Sequence, residues 1–290
     1  MLSGIIVNTL VAGVIYAILA IGFSLIFGVA KILNMAHTAL YMVAGFIIFI
    51  GLQMIGLPLY LCDILAIVLT AILAMICYRL VFDRVKIQTS AVMIISIALA
   101  MLFQELLLMQ FGAQPRQIPP FIPGYFEFLG SRVTYQHIFS FASFLALIYA
   151  IWFLMIKTRL GKIIRAVSED PEVSNLMGIN VTRISLITMG ISGGLAGFAA
   201  VIVVPLFTLT CLMWISPLVT IMAVVVLGGL GSIKGSVMGA FILGFAETAV
   251  SMLVPLGSFL SGAVSLTIMI LVLIIRPEGL FGVAFEEERL

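Results

Sequence analysis

Charge is scarce in this 290-residue sequence: Asp, Glu, Lys and Arg make up 9% of it, against 63% hydrophobic residues. A water-facing surface needs roughly a quarter of its residues charged, so a soluble domain of this length is excluded. Histidine is limited to His37 and His137, and cysteine to Cys62, Cys77 and Cys211. A metal or hydrolytic site needs convergent ligands, and no HExxH or CxxC occurs. The cysteines fall in or beside apolar runs, where thiols act as small apolar residues, so neither a disulfide nor a metal is expected. A GxxxxGK[ST] phosphate loop is also missing, so the chain cannot hydrolyse ATP unaided. No Lys or Arg precedes Lys31, which argues against the basic start of a cleavable signal peptide.

What the sequence has is apolar length. Runs extend over Ile5–Phe27, Met35–Ile55, Leu59–Val81, Ala91–Phe111, Tyr135–Ile156, Ile184–Leu209, Leu212–Leu227, Val237–Val254 and Leu256–Ile275. Runs of about 20 apolar residues read as membrane helices. The expectation is an all-α polytopic membrane protein of eight or nine transmembrane or re-entrant helices, forming one domain over residues 1–290. Leu212–Leu227 and Val237–Val254 are short and glycine-interrupted, so one of them is expected to be re-entrant.

Loop charges orient the chain. Arg79, Arg84 and Lys86 share one connection; Lys157, Arg159, Lys162, Arg165 and Arg183 share another. Both are assigned to the cytoplasm, with Arg276 and the tail Glu286–Leu290. The loop 112–134, rich in proline and poor in cations, is assigned outside.

The polar island Thr158–Met177 stands out because long apolar runs flank it. Asp170-Pro171 puts a capping carboxylate before a proline at the first helical position, and Gly178 supplies a stop. Val173, Leu176 and Met177 share one face of the two turns between. Such a helix suits docking, although an amphipathic loop lying on headgroups has the same pattern.

Two glycine breaks carry one lysine each: Gly28 with Lys31, and Gly228, Gly229, Gly231 and Gly235 with Lys234. Paired breaks in the two halves of a chain are a signature of transporters built from internal repeats. Two tight hairpins at the membrane face would account for them equally well. Intramembrane ionisable groups are Asp63, Glu105 and Glu247, with His37 near a boundary; such groups belong in a bundle interior or pore. Glu247 reads either as a pathway carboxylate or as a structural partner for a freed backbone amide. Glu105, beside Gln104, has the same two readings, and Asp63 sits near a span end where water could reach it.

Four stretches resemble one family. They are Gly28…Asn34-Met35-Ala36-His37 with Tyr41; Leu160-Gly161…Arg165…Asp170…Met177-Gly178; Val226 to Ile233 with Gly235; and Arg276-Pro277-Glu278-Gly279-Leu280-Phe281-Gly282. The chain is similar to the membrane permeases of branched-chain amino acid ABC importers, and most to the shorter permease of the pair. Thr38 departs from the family's usual glycine, and Pro205–Val219 is shortened.

The resemblance implies a non-enzymatic transport subunit in the inner membrane of a prokaryote. It also implies a second homologous permease, two ATP-binding subunits that hold ATP and Mg, an extracytoplasmic solute-binding protein and no nucleic acid; the surrounding solvent is membrane lipid. The loop 158–183 becomes the cytoplasmic coupling loop, with Gly161, Arg165, Asp170, Val173, Leu176, Met177 and Gly178 contacting the ATPase. Asn34, His37, Tyr41, Gln104 and Glu247 are the candidate solute-pathway residues. Related permeases carry branched-chain or other apolar amino acids, amides or urea. The alternative is an ion-coupled secondary transporter or channel using Glu105 and Glu247.

Overall fold

In lipid a backbone amide finds no water, so each apolar run must close its hydrogen bonds within itself and becomes helix. The structure is a computed structural model describing residues 2–85, 88–128, 131–254, 256–276 and 279–281. Lys86, Pro277, Glu278, Gly282 and the tail Glu286–Leu290 lie outside the described residues. The chain runs through α1 (Leu2–Ala30), α2 (His37–Phe49), α3 (Leu59–Cys77), α4 (Asp83–Val85) and α5 (Thr89–Phe111). Strands β1 (Tyr125–Phe128) and β2 (Ser131–Thr134) follow, then α6 (Tyr135–Lys157), α7 (Arg159–Glu169) and α8 (Pro171–Leu176). The last elements are α9 (Val181–Val203), α10 (Ile215–Gly228), α11 (Ile233–Leu253) and α12 (Gly257–Ile275). π-Helical turns extend α2 through Ile55 and α3 through Phe82.

Seven of these helical stretches are long and apolar enough to cross a membrane. The chain is an integral membrane protein of the all-α polytopic class. α10 has 14 residues and spans about 21 Å, short of a hydrocarbon core of roughly 30 Å. The incomplete span is therefore Leu212–Leu227; Val237–Val254 is helical as far as Leu253, in the 21-residue α11. The segment 204–214 closes the gap. It leaves α9 as turns and folds back into the bundle, burying Leu209, Cys211 and Trp214 before α10 begins.

α1 and α9 form the centre and are mostly buried, whereas α5 and α6 stand at the periphery. Small residues let the central helices approach closely, as expected where no hydrophobic effect drives them together. Gly190, Gly193 and Gly197 line one face of α9, and a Cβ at any of them would press into Met75, Ala74 or Ile67 of α3. Gly13 and Gly244 do the same between α1 and α11: a Cβ at Gly244 would lie 3.0 Å from the Gly13 nitrogen.

The loop 112–134 contains a feature absent from the all-α expectation. β1 and β2 pair antiparallel, with Tyr125 opposite Thr134 and Phe128 opposite Ser131. Tyr125, Phe126 and Phe128 are strand formers placed after prolines that prevent a helix. Phe126 stacks on Tyr135 at 5.9 Å, tying the hairpin to the start of α6. The loop also joins the segment before α10, where Arg116 and Leu209 exchange two backbone hydrogen bonds of 2.9 Å. The bundle thus has a hairpin end and, opposite it, a loop end carrying α7 and α8.

Candidate functional site

α7 and α8 form the loop end. Thr158 caps α7 by accepting from the Gly161 amide at 3.0 Å and donates to the Leu154 carbonyl at 2.6 Å. Gly161 has no room for a side chain, because a Cβ would overlap the Leu154 carbonyl and the Met155 backbone. The apolar face of α7 turns inward: Ile164 and Val167 are buried with Val29 of α1 and Ile184 of α9. α7 is therefore seated on the bundle rather than floating on headgroups.

α8 is defined by its own termini. The Asp170 carboxylate accepts from the Glu172 and Val173 amides at 2.9 Å each, and Pro171 occupies the first turn. At the other end the Ile179 amide donates to the Ser174 carbonyl at 3.0 Å, and Gly178 takes φ +82°, a left-handed turn natural to glycine. Ser174 is buried, which turns the opposite face outward. Val173, Leu176 and Met177 are 52%, 86% and 78% exposed. Three neighbouring apolar side chains at that exposure on an otherwise polar element form an unpartnered surface.

The two glycine breaks meet beside this loop. A Cβ at Gly231 would lie 3.3 Å from the Gly28 Cα, and one at Gly28 would lie 3.5 Å from Ser168 Oγ of α7. The breaks differ in form. After α1, Lys31 adopts a left-handed φ of 54° and the chain turns back into the core. Between α10 and α11 a tight turn sets Gly228 and Gly235 backbone against backbone, leaving no space for a Cβ on either. Leu280 and Phe281 donate amides to the carbonyls of Leu227 and Gly228 at 2.8 and 3.1 Å. That capping of the last turn of α10 gives the C-terminal segment a structural task.

The five pathway residues do not form one cluster. Asn34, His37 and Tyr41 are buried in the helix core. His37 lies against Gly22 of α1, with Nδ1 3.2 Å from Ser192 Oγ of α9, and that hydroxyl donates to the Gly22 carbonyl at 2.8 Å. Asn34 accepts from the Ala36 amide at 3.1 Å, shaping the turn into α2. Gln104 accepts from Trp214 Nε1 at 2.8 Å, linking α5 to the segment before α10, and donates to Glu105 at 3.1 Å. Glu105 itself is exposed on the outer face of α5. Asp63, expected to reach water, is buried just past the first turn of α3, and its Oδ2 has no hydrogen-bond partner among the described residues.

Glu247 lies elsewhere, on α11, and is 7% exposed. It accepts from Tyr16 of α1 at 2.7 Å, from Thr220 of α10 at 3.0 Å and from Ser265 of α12. Among the described residues its bonding is to hydroxyls of three helices and not to a freed backbone amide. Hydroxyl residues scattered singly in apolar helices were the only sequence signal for this cluster, and none of them was singled out. The carboxylate borders a cavity of about 470 Å³ lined also by Asn8, Tyr16, His137, Thr248 and Ser251. Asn34, His37, Tyr41 and Gln104 do not line it.

Comparison with known proteins accords with this architecture. A family described as branched-chain amino acid transport system / permease component matches residues 5–273. The chain is 30% identical to the high-affinity branched-chain amino acid transport system permease protein BraD of Pseudomonas aeruginosa, over 95% of this chain and 94% of that protein. It is 28% identical, with the same coverage, to the corresponding permease LivH of Escherichia coli. Among solved structures, PsaBC from Streptococcus pneumoniae in complex with Fab is similar in fold, with a TM-score of 0.52 at 13% identity over 93% of this chain and 91% of that one. Match length and fold agree: the chain belongs to the permease component family of the branched-chain amino acid transport systems.

Proposed function

We propose that this chain is a transmembrane subunit of an ABC importer for branched-chain or other hydrophobic amino acids, and that α8 is the element through which an ATPase moves it. The observation that carries the reading is the exposed trio Val173, Leu176 and Met177 on a helix with a cap at each end. Fully burying such side chains contributes roughly 1.5–3 kcal/mol each, and a short apolar helix face fits a groove on a partner. Gly161 seats α7, Asp170 and Gly178 bound α8, and Arg165 stands exposed on α7 beside them. The names of the relatives support the solute class.

The import reading brings a second permease, two ATP-binding subunits that hold ATP and Mg, and a solute-binding protein on the far side. Residues 158–183 and the C-terminus then face the cytoplasm of a prokaryote, and the loop 112–134 faces outward. Glu105 supports the pairing of permeases. Exposed six residues before the end of α5, this carboxylate is costly in lipid, so the outer face of α5 belongs against another subunit or a wet pathway. The polar cavity beside Glu247 is the solute-facing chamber of this reading. Two carboxylates in separate environments give the ion-coupled alternative no shared binding site.

The test is uptake into vesicles carrying the assembled importer. Met177→Asp is expected to abolish ATP-dependent uptake and loosen ATPase association while leaving insertion of the permease unchanged. Undiminished uptake by this variant refutes the coupling role of α8, and uptake that persists without ATP refutes the ABC assignment.

A further inference from the structure

A second cavity, of about 620 Å³, opens at the loop end between peripheral α6 and the α1–α11 pair. Its walls are mainly aliphatic, with Ile151, Trp152 and Met155 on α6 and Val237 and Met238 on α11. Arg165 of α7 and Lys234 of α11 also line it, as do Ser168 and Ser232, and no acidic residue does. Among the described residues neither cation is in an ion pair.

We propose that this cleft is a binding site for one acidic phospholipid, with an acyl chain between α6 and α11 and the headgroup phosphate against Arg165 and Lys234. Three observations favour lipid over a polypeptide occupant. First, the two cations, unpaired among the described residues, sit at one end of an apolar slot, which matches an anionic amphiphile; basic pockets between membrane helices bind such headgroups. Second, α6 is the least buried of the long helices, as expected of a helix that faces the bilayer. Third, Trp152 lines the cleft and is exposed five residues before the end of α6, about 7.5 Å along the helix, which puts an amphipathic indole toward the headgroup side of the slot. The cleft reaches Gly28 and Gly231, so its lipid borders the contact between the glycine breaks. This site does not depend on the solute or on the coupling role of α8.

The full-length chain, reconstituted in bilayer discs of phosphatidylcholine and phosphatidylglycerol, tests the site by native mass spectrometry of the lipid retained on release. Wild type is expected to retain phosphatidylglycerol preferentially. Lys234→Gln is expected to reduce that retention by about fivefold, the effect of one cation near a membrane phosphate, and Lys234→Arg to preserve it. Ile151→Trp, which fills the cleft from the peripheral helix, is expected to eliminate retention with the cations intact. Equal retention of the two lipids, or retention unaffected by Lys234→Gln and Ile151→Trp, overturns the proposal. A photoreactive p-benzoylphenylalanine at Ile151 identifies the occupant directly: a phospholipid adduct supports the site, and a crosslink to another polypeptide, whether a second permease or an ATPase, overturns it.

Discussion

Replacing Glu247 by Ala removes the acceptor shared by Tyr16, Thr220 and Ser265, and so releases α1, α10 and α12 from α11 at one point. Side-chain hydrogen bonds inside membrane proteins average about 0.6 kcal/mol and reach about 1.7. Three bonds lost together give about 2–5 kcal/mol. Tyr16→Phe, Thr220→Ala and Ser265→Ala each remove one donor and are expected to cost about 0.6–1.7 kcal/mol. Glu247→Gln should fall near those single values, because its amide carbonyl still accepts and its NH2 can donate to a reoriented hydroxyl. The assay is thermal unfolding in detergent, read by tryptophan fluorescence, since Trp214 lies at the start of the α10 segment. At roughly 2–4 °C per kcal/mol for a chain of this size class, Glu247→Ala should lower the apparent Tm by about 10 °C. A loss no larger than that of Ser265→Ala alone would refute the shared-acceptor argument.

Other substitutions test close backbone contacts. Gly235→Ala places a Cβ into the Gly228 backbone and is expected to destabilise by about 1–3 kcal/mol or more, because backbone cannot step aside. Gly262→Ala on α12 is the control: a Cβ there meets nothing within 4 Å, so stability should stay within about 0.5 kcal/mol or rise slightly. Gly161→Ala should lift α7 from α6 and increase protease cleavage within 158–180, and unchanged cleavage would count against that seat. Trp214→Phe removes the indole donor to Gln104 and should cost about 0.6–1.7 kcal/mol in the same unfolding assay.

What was legible in the sequence is what depends on neighbouring residues. α8 could be bounded because Asp170, Pro171 and Gly178 act on their own few residues, and the apolar runs marked the spans because lipid leaves a single-chain segment little choice but helix. The chain also disclosed that one of two short runs would fall short, but not which. Choosing α10 required knowing that Trp214 and Cys211 fold inward ahead of it. The contact of Gly28 with Gly231 joins residues about two hundred positions apart, and no local pattern encodes it. The hairpin was obscured by the prolines before it, which read simply as loop. His37, Asn34 and Tyr41 share one motif of the family resemblance, whereas the cavity draws its polar groups from α1, α6, α11 and α12. Glu105 points out of its own chain, and a helix turned toward a partner has the same apolar composition as one turned inward.

α1 is pinned twice, to α11 itself at Gly13 with Gly244 and to the turn leading into α11 at Gly28 with Gly231. The pins are 15 residues apart along α1, about 22 Å at 1.5 Å per residue. A pair fastened at two such points behaves as a strut and tilts as one piece instead of scissoring. One extremity abuts Ser168, and the other carries Asn8 and Ala12 on the wall of the 470 Å³ chamber. Under the coupling role proposed for α8, a push on α7 and α8 would reach the chamber as leverage along a single beam, with little lost to bending on the way.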